Sequence, residues 1–156
     1  MGWVKNCLPS KGDLLRVKRK KGYYHFGIAS DSNHAIHYSG PHDDSIYDPS
    51  KLKIIHTVLA EFDRGDGFEV WVPYSSKFSR DEVVERAMTY LNSPTFRGRP
   101  YNFLKNNCEH FARWAYEDQA RCIQVRDEIM KIIDERKNDI IDKADDIIIK
   151  IKNKVN

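Results

Sequence analysis

The sequence predicts an α+β domain, with a small antiparallel sheet laid down first and helices covering it. Three observations carry that expectation. Short β-rich segments separated by turn residues fill positions 14–72. Helical spacing of apolar residues takes over at Ser79. The 156 residues are enough for one domain with a real core, and 40% apolar against 31% charged residues fit an ordinary globular chain.

Residues 1–10 are expected as a variable lead-in, with Trp3 and Leu8 available to pack on the domain. Lys11-Gly12-Asp13 reads as a turn before a short strand over 14–17. Arg16, Lys18, Arg19, Lys20 and Lys21 form a basic cluster with two readings, a solvated strand end or a contact for phosphate or anionic headgroups. Gly22 turns the chain into a strand over 23–29 that contains His25. Asp31-Ser32-Asn33 is a turn signal, and 34–38 reads as the antiparallel partner carrying His37. His34 and His37 stand an odd number of residues apart, so a strand puts them on opposite faces. Gly40-Pro41 closes the pair, and 42–50 reads as a polar loop. Residues 52–62 are strand-like with mixed periodicity, 63–67 are a turn, and 68–72 alternate up to Pro73.

Ser79 and Glu82 form a capping-box pattern, followed by the stripe Val83, Val84, Ala87, Met88 and Leu91. Ser93-Pro94 ends that helix, and Gly98-Arg99-Pro100 reads as an irregular connector. A second helix is expected at Cys108, capped by Asn106 or Asn107, with Phe111, Trp114 and Ala115 on its buried face. From Asp127 onward, isoleucines recur among lysines and acids, and Ile133, Ile140 and Ile147 are seven apart. That helical segment has three readings: packing on its own domain or a second copy, a partner or membrane-surface helix, or a partly disordered tail. The expected organisation is a lead-in at 1–11, a domain at 12–126 and an amphipathic segment at 127–156.

Several function classes recede on composition. Cys7, Cys108 and Cys122 form neither a disulfide framework nor a metal-spaced cluster, which points to a reducing, cytoplasmic setting. His42 and His56 lack a cysteine or acid at a zinc spacing, so neither a metal nor another cofactor is expected. No apolar run is long enough to span a bilayer, and residues 1–9 are too short and polar for a secretory signal. A net charge of +3 permits weak, peripheral attraction to anionic membranes and gives no argument for nucleic acid.

A thiol at a helix N-terminus gains thiolate character from the unpaired amides there. Cys108 therefore reads either as a small core residue or as a nucleophile, and a nucleophile needs a base. His25 is the candidate base and His37 the candidate orienting group. The backbone N–H of Cys108 is a candidate oxyanion donor, with the hydroxyls of Tyr23 and Tyr24 beside it. Glu109 and His110 adjoin the nucleophile, and a structural role is expected for His110.

Three segments carry a family resemblance. Asn107-Cys108-Glu109-His110-Phe111, Tyr24-His25-Phe26-Gly27-Ile28-Ala29 and Ala35-Ile36-His37-Tyr38 resemble, in order, the motifs of the lecithin:retinol acyltransferase-like family, and Gly12-Asp13-Leu14-Leu15 fits its first strand. The resemblance spans residues 12–125. It implies a circularly permuted papain-like fold, with Cys108 as nucleophile, His25 as base and His37 as third member. It also implies an acyltransferase or phospholipase A-like hydrolase. A lipid acyl ester would be the donor, and water, an amine or an alcohol the acceptor. Some relatives end in a membrane-spanning helix, where this chain has a charged amphipathic stretch. Similar short domains occur among non-protease 2A proteins of some picornaviruses. That likeness implies the alternative of a non-enzymatic module binding host or replication partners, with the Ile-rich segment as its contact.

Overall fold

The structure, a computed structural model, describes residues 1–40, 48–103 and 105–155. Pro41 of the expected closure and positions 42–47 of the expected polar loop, His42 among them, lie outside the described residues, as does Leu104. The architecture is α+β: a six-stranded antiparallel sheet with helices against it.

The strands are β1 (Gly2–Lys5), β2 (Leu14–Lys18), β3 (Tyr24–Ala29), β4 (His34–Ser39), β5 (Lys53–Val58) and β6 (Phe68–Val72), in the order β1-β6-β2-β3-β4-β5. Residues expected within the lead-in form the edge strand β1, paired Gly2↔Val72 through Lys5↔Glu69. The segment is too short to show its own periodicity, and its partner lies far along the chain. Trp3 anchors it, edge-on to Phe26 at 5.8 Å and Trp71 at 5.2 Å, whereas Leu8 is exposed. The mixed run at 52–62 is β5 followed by a one-turn helix, α1 (Leu59–Asp63), so two periods are superposed. Arg64 and Gly65 then turn the chain at positive φ.

The later elements are α2 (Arg80–Met88), a hairpin of β7 (Thr95–Phe96) and β8 (Arg99–Pro100), α3 (Cys108–Glu117) and α4 (Ile123–Val155). The expected capping box at Ser79 is present: its hydroxyl accepts from the Glu82 amide, and the Glu82 carboxylate accepts from the Ser79 amide. The connector expected at Gly98-Arg99-Pro100 is instead part of the hairpin, closed by Arg97 (φ 56°) and Gly98 (φ 72°). Two positive φ values in a two-residue loop are what a type I′ turn requires.

Strand alternation divides the buried residues between two faces. Phe26, Ile28, Ile36, Tyr38 and Ile54 form one core cluster with Val83 and Ala87 of α2 and with Cys108, Phe111, Ala112 and Ala115 of α3. Leu15, Val17, Ala29, Ala35 and Val70 form the second cluster, closed by Phe62 of α1. Contacts divide the chain into two compact units, Met1–Cys122 and Ile123–Asn156. In the second, Ile129, Ile133, Ile140, Ile147 and Ile151 are exposed.

Candidate active site

β3 and β4 pair Gly27↔His37, which brings His25 diagonally opposite His37 on the same face. Both imidazoles are buried, and their nearest nitrogens, His25 Nε2 and His37 Nδ1, are 2.8 Å apart. The far nitrogen of His37, Nε2, is 2.9 Å from the hydroxyl of Thr57 on β5. That hydroxyl donates to the Val58 carbonyl at 3.1 Å, so its oxygen is the acceptor for His37 Nε2–H. His37 then accepts at Nδ1 from His25 Nε2–H. The chain of bonds fits the Nε2–H tautomer of His25, with its lone pair on Nδ1.

Phe62 walls this pair with ring centroids 5.3 Å from His25 and 5.1 Å from His37. The approach depends on Gly27. A Cβ there would lie 2.8 Å from Phe62 Cε2 and 3.3 Å from His37 Cβ.

Cys108 occupies the first position of α3, buried in the core cluster that includes Phe26. His25, next to Phe26 on β3, alternates to the other face, opposite Val17 and against Phe62. Asn107 is the N-cap of the helix. Its Oδ1 takes the amides of Glu109 at 3.0 Å and His110 at 3.1 Å, rather than that of Cys108. The Asn107 amide donates back to His110 Nδ1 at 3.1 Å, completing a capping box. Nδ1 also lies 2.9 Å from Asn107 Oδ1. Because Oδ1 already accepts two amides and the Asn107 N–H needs an acceptor, His110 is assigned the Nε2–H tautomer. Burial lowers the pKa of His110, with the Arg97 charge adding to that effect and Glu109 opposing it. Asn106 sits beneath the cap, its Nδ2 within 3.1 Å of the carbonyls of Phe96, Arg99 and Pro100. This clamps the β7–β8 hairpin to the start of α3.

Sequence reasoning did not foresee the network that anchors this helix. Glu109 is 1% exposed and pairs with Arg113 Nε at 2.7 Å. Cys122 Sγ donates to Glu109 Oε2 at 3.0 Å and receives Asn107 Nδ2 at 3.3 Å. The signal present in the sequence was the i,i+4 series Glu109, Arg113, Glu117, Arg121, whose members pair along the chain. Nothing local marked Cys122.

The basic cluster divides. Arg16 is half-buried, paired with Glu69, and its guanidinium lies 4.3 Å from the Trp3 ring centre and 4.1 Å from that of Tyr24. Arg19 is buried and reaches the Asp63 carbonyl at 3.3 Å. Lys18, Lys20 and Lys21 are exposed. Tyr24 is thus held by Arg16, while Tyr23 lies edge-on to Phe103 at 5.9 Å. His56 meets Ser30 Oγ at 2.7 Å, and His34 meets Asp31 at 2.9 Å.

A family model described as lecithin retinol acyltransferase matches residues 7–121. The chain belongs to this family. The match runs over nearly all of the compact unit Met1–Cys122, including both histidine strands and α3. Membership in the lecithin retinol acyltransferase family points to acyltransferase or phospholipase-like chemistry in general. No curated protein matches the chain. Among the described residues, no helix is long and apolar enough to cross a membrane.

Proposed function

We propose that this lecithin retinol acyltransferase family member moves acyl groups from lipid esters through a thioester on Cys108. The observation that supports this reading best is the buried bond chain His25–His37–Thr57, which suits a His25 with its proton on Nε2 and its lone pair on Nδ1. In the first half-reaction, His25 Nδ1 takes the thiol proton and the sulfur attacks the ester carbonyl. The tetrahedral oxyanion is held by the Cys108 N–H at the start of α3, with Tyr23 or Tyr24 as a further donor. Collapse breaks the ester C–O bond, and the imidazolium returns its proton to the departing alcohol or lysolipid. In the second half-reaction His25 deprotonates water, an amine or an alcohol, which attacks the thioester and releases the thiol. His37 orients His25 and takes up part of the imidazolium charge through the shared hydrogen bond. It is a positioning residue.

The reading includes a cytoplasmic, peripheral setting, supported by three cysteines that form no disulfide and by exposed Lys18, Lys20 and Lys21. Incubation with a panel of phospholipids and activated esters, followed by intact-protein mass spectrometry, tests the chemistry. A mass increase equal to one acyl group is expected on Cys108 and on neither Cys7 nor Cys122. Cys108→Ala should abolish it, and His25→Ala should slow its appearance by about 10²-fold or more. The proposal fails if Cys108 reacts no faster than an exposed reference thiol and Cys108→Ala leaves turnover unchanged.

The exposed isoleucines of α4 favour a second reading, an interaction module that keeps the shape of the site. It predicts partner binding that survives Cys108→Ala and is lost on removal of residues 123–156.

A further inference from the structure

A cavity of about 320 Å³ opens beside the cap of α3, lined by Arg97, Arg99, Lys105, Asn106, His110 and Ala120. Cys108, His25 and His37 are not among its lining residues. Among the described residues no acidic side chain lines it, and none of the salt bridges uses Arg97, Arg99 or Lys105. Three cations thus share one concavity with no carboxylate among its described lining residues, in a chain whose net charge is only +3.

The wall is built rather than incidental. Asn106 is 5% exposed and holds three hairpin carbonyls, which fixes β7–β8 against the entrance of α3. Arg97 occupies a positive-φ turn position, where a non-glycine residue is costly and Asn is the usual choice. The fold therefore holds a guanidinium at the tip of a clamped hairpin. His110, also in the lining, has Nδ1 taken up by the Asn107 amide, so its ring offers an Nε2–H donor. Two guanidiniums, an ammonium and a fixed imidazole N–H suit the several oxygens of one phosphate group. The volume falls near the lower end of the roughly 300–1,000 Å³ typical of small-ligand sites, leaving room for a small group attached to the phosphate.

We propose that this cavity binds the phosphate group of a small phosphate ester, held by Arg97, Arg99, Lys105 and His110. The inference goes beyond acyl transfer, because it requires no reactive thiol. The phosphate source is either a soluble ester or a phospholipid headgroup, and the experiment separates them.

The full-length protein is titrated with inorganic phosphate and with glycerol 3-phosphate while the His110 ring resonances are followed by NMR. In parallel, sedimentation is measured with vesicles of ether-linked phosphatidylcholine containing ether-linked phosphatidic acid. None of these ligands carries an acyl ester, so anion binding is read separately from thioester chemistry. Saturable binding is expected, with the His110 pKa moving upward as the anion fills the cavity. Arg97→Asn suits the turn and removes the charge, so it tests recognition without threatening the fold. It and Arg99→Gln should each weaken binding about tenfold or more, while Lys5→Gln, at an exposed position of β1, should not. Binding of the soluble ligands identifies a soluble source, and Arg97-dependent binding of vesicles alone identifies a headgroup. The proposal is overturned if neither form binds. It is also overturned if the Arg97→Asn, Arg99→Gln double variant binds as the wild type does, or if vesicle binding follows Lys20 and Lys21 instead.

Discussion

Gly27 sets the tightest constraint around the histidine pair. Any side chain there meets Phe62 on one side and His37 on the other, within 2.8 and 3.3 Å of its first carbon. Gly27→Ala is expected to cost about 1–3 kcal/mol by overpacking and to push His37 away from His25. Urea denaturation reads the first effect. The ring-proton NMR signals of both histidines read the second, and unchanged ring shifts would show that Phe62 yields instead. Both histidines were legible in the sequence, because strand alternation and motif order placed them together. Thr57 was not. It enters through the β4–β5 register, Ala35↔Thr57, which no local pattern announces. Cys122 escaped notice for a related reason: its partners, Glu109 and Asn107, are set by the return of the chain after α3.

Among the elements, α3 concentrates the sequence's most readable signals and its least readable energetics. The Asn107 cap and the buried stripe follow directly from residue spacing. The use of His110 as the reciprocal acceptor does not, since that position usually carries Glu or Gln. A histidine makes the cap pH-sensitive. Burial, reinforced by Arg97 and opposed by Glu109, holds the folded pKa of His110 below its ordinary value of 6.5. As the pH falls through 6.5, the unfolded chain takes up this proton before the folded chain does. Stability contributed by the neutral ring is therefore complete above 6.5 and declines as the pH drops toward the folded pKa. Protonation at Nδ1 also removes the acceptor for the Asn107 amide. His110→Gln keeps an acceptor and loses the titration, so it should flatten the fall in melting temperature between neutral pH and the window below 6.5. An identical slope in the wild type and His110→Gln would remove His110 from the account. Strand β1 gives the contrasting case: its four residues gain their structure only from β6, more than sixty positions away, and no local reading reveals it.

At the scale of the whole chain, both hydrophobic cores are assembled from residues of the unit Met1–Cys122. A chain of residues 1–122 is accordingly expected to keep the near-ultraviolet circular dichroism and cooperative melting of the full domain. The 33-residue α4 has a different basis. Isolated helices in water are marginal, and an exposed stripe of isoleucines calls for a covering surface. Met130, Ile133, Lys137, Ile140, Ala144, Ile147 and Ile151 follow alternating steps of three and four, the spacing of a coiled-coil seam, over about 32 Å of helix. In a pair of such helices Lys137 would weaken the seam and fix its register. A second copy of the same helix is the simplest surface with a matching period. Sedimentation should therefore show the full chain rising above 18.3 kDa with concentration, and helicity rising with it. Ile140→Lys combined with Ile147→Lys should return the monomer and lower helicity while leaving the core signal unchanged. A full chain that stays monomeric at every concentration, with constant helicity, rules out pairing of copies and leaves the stripe to a different protein.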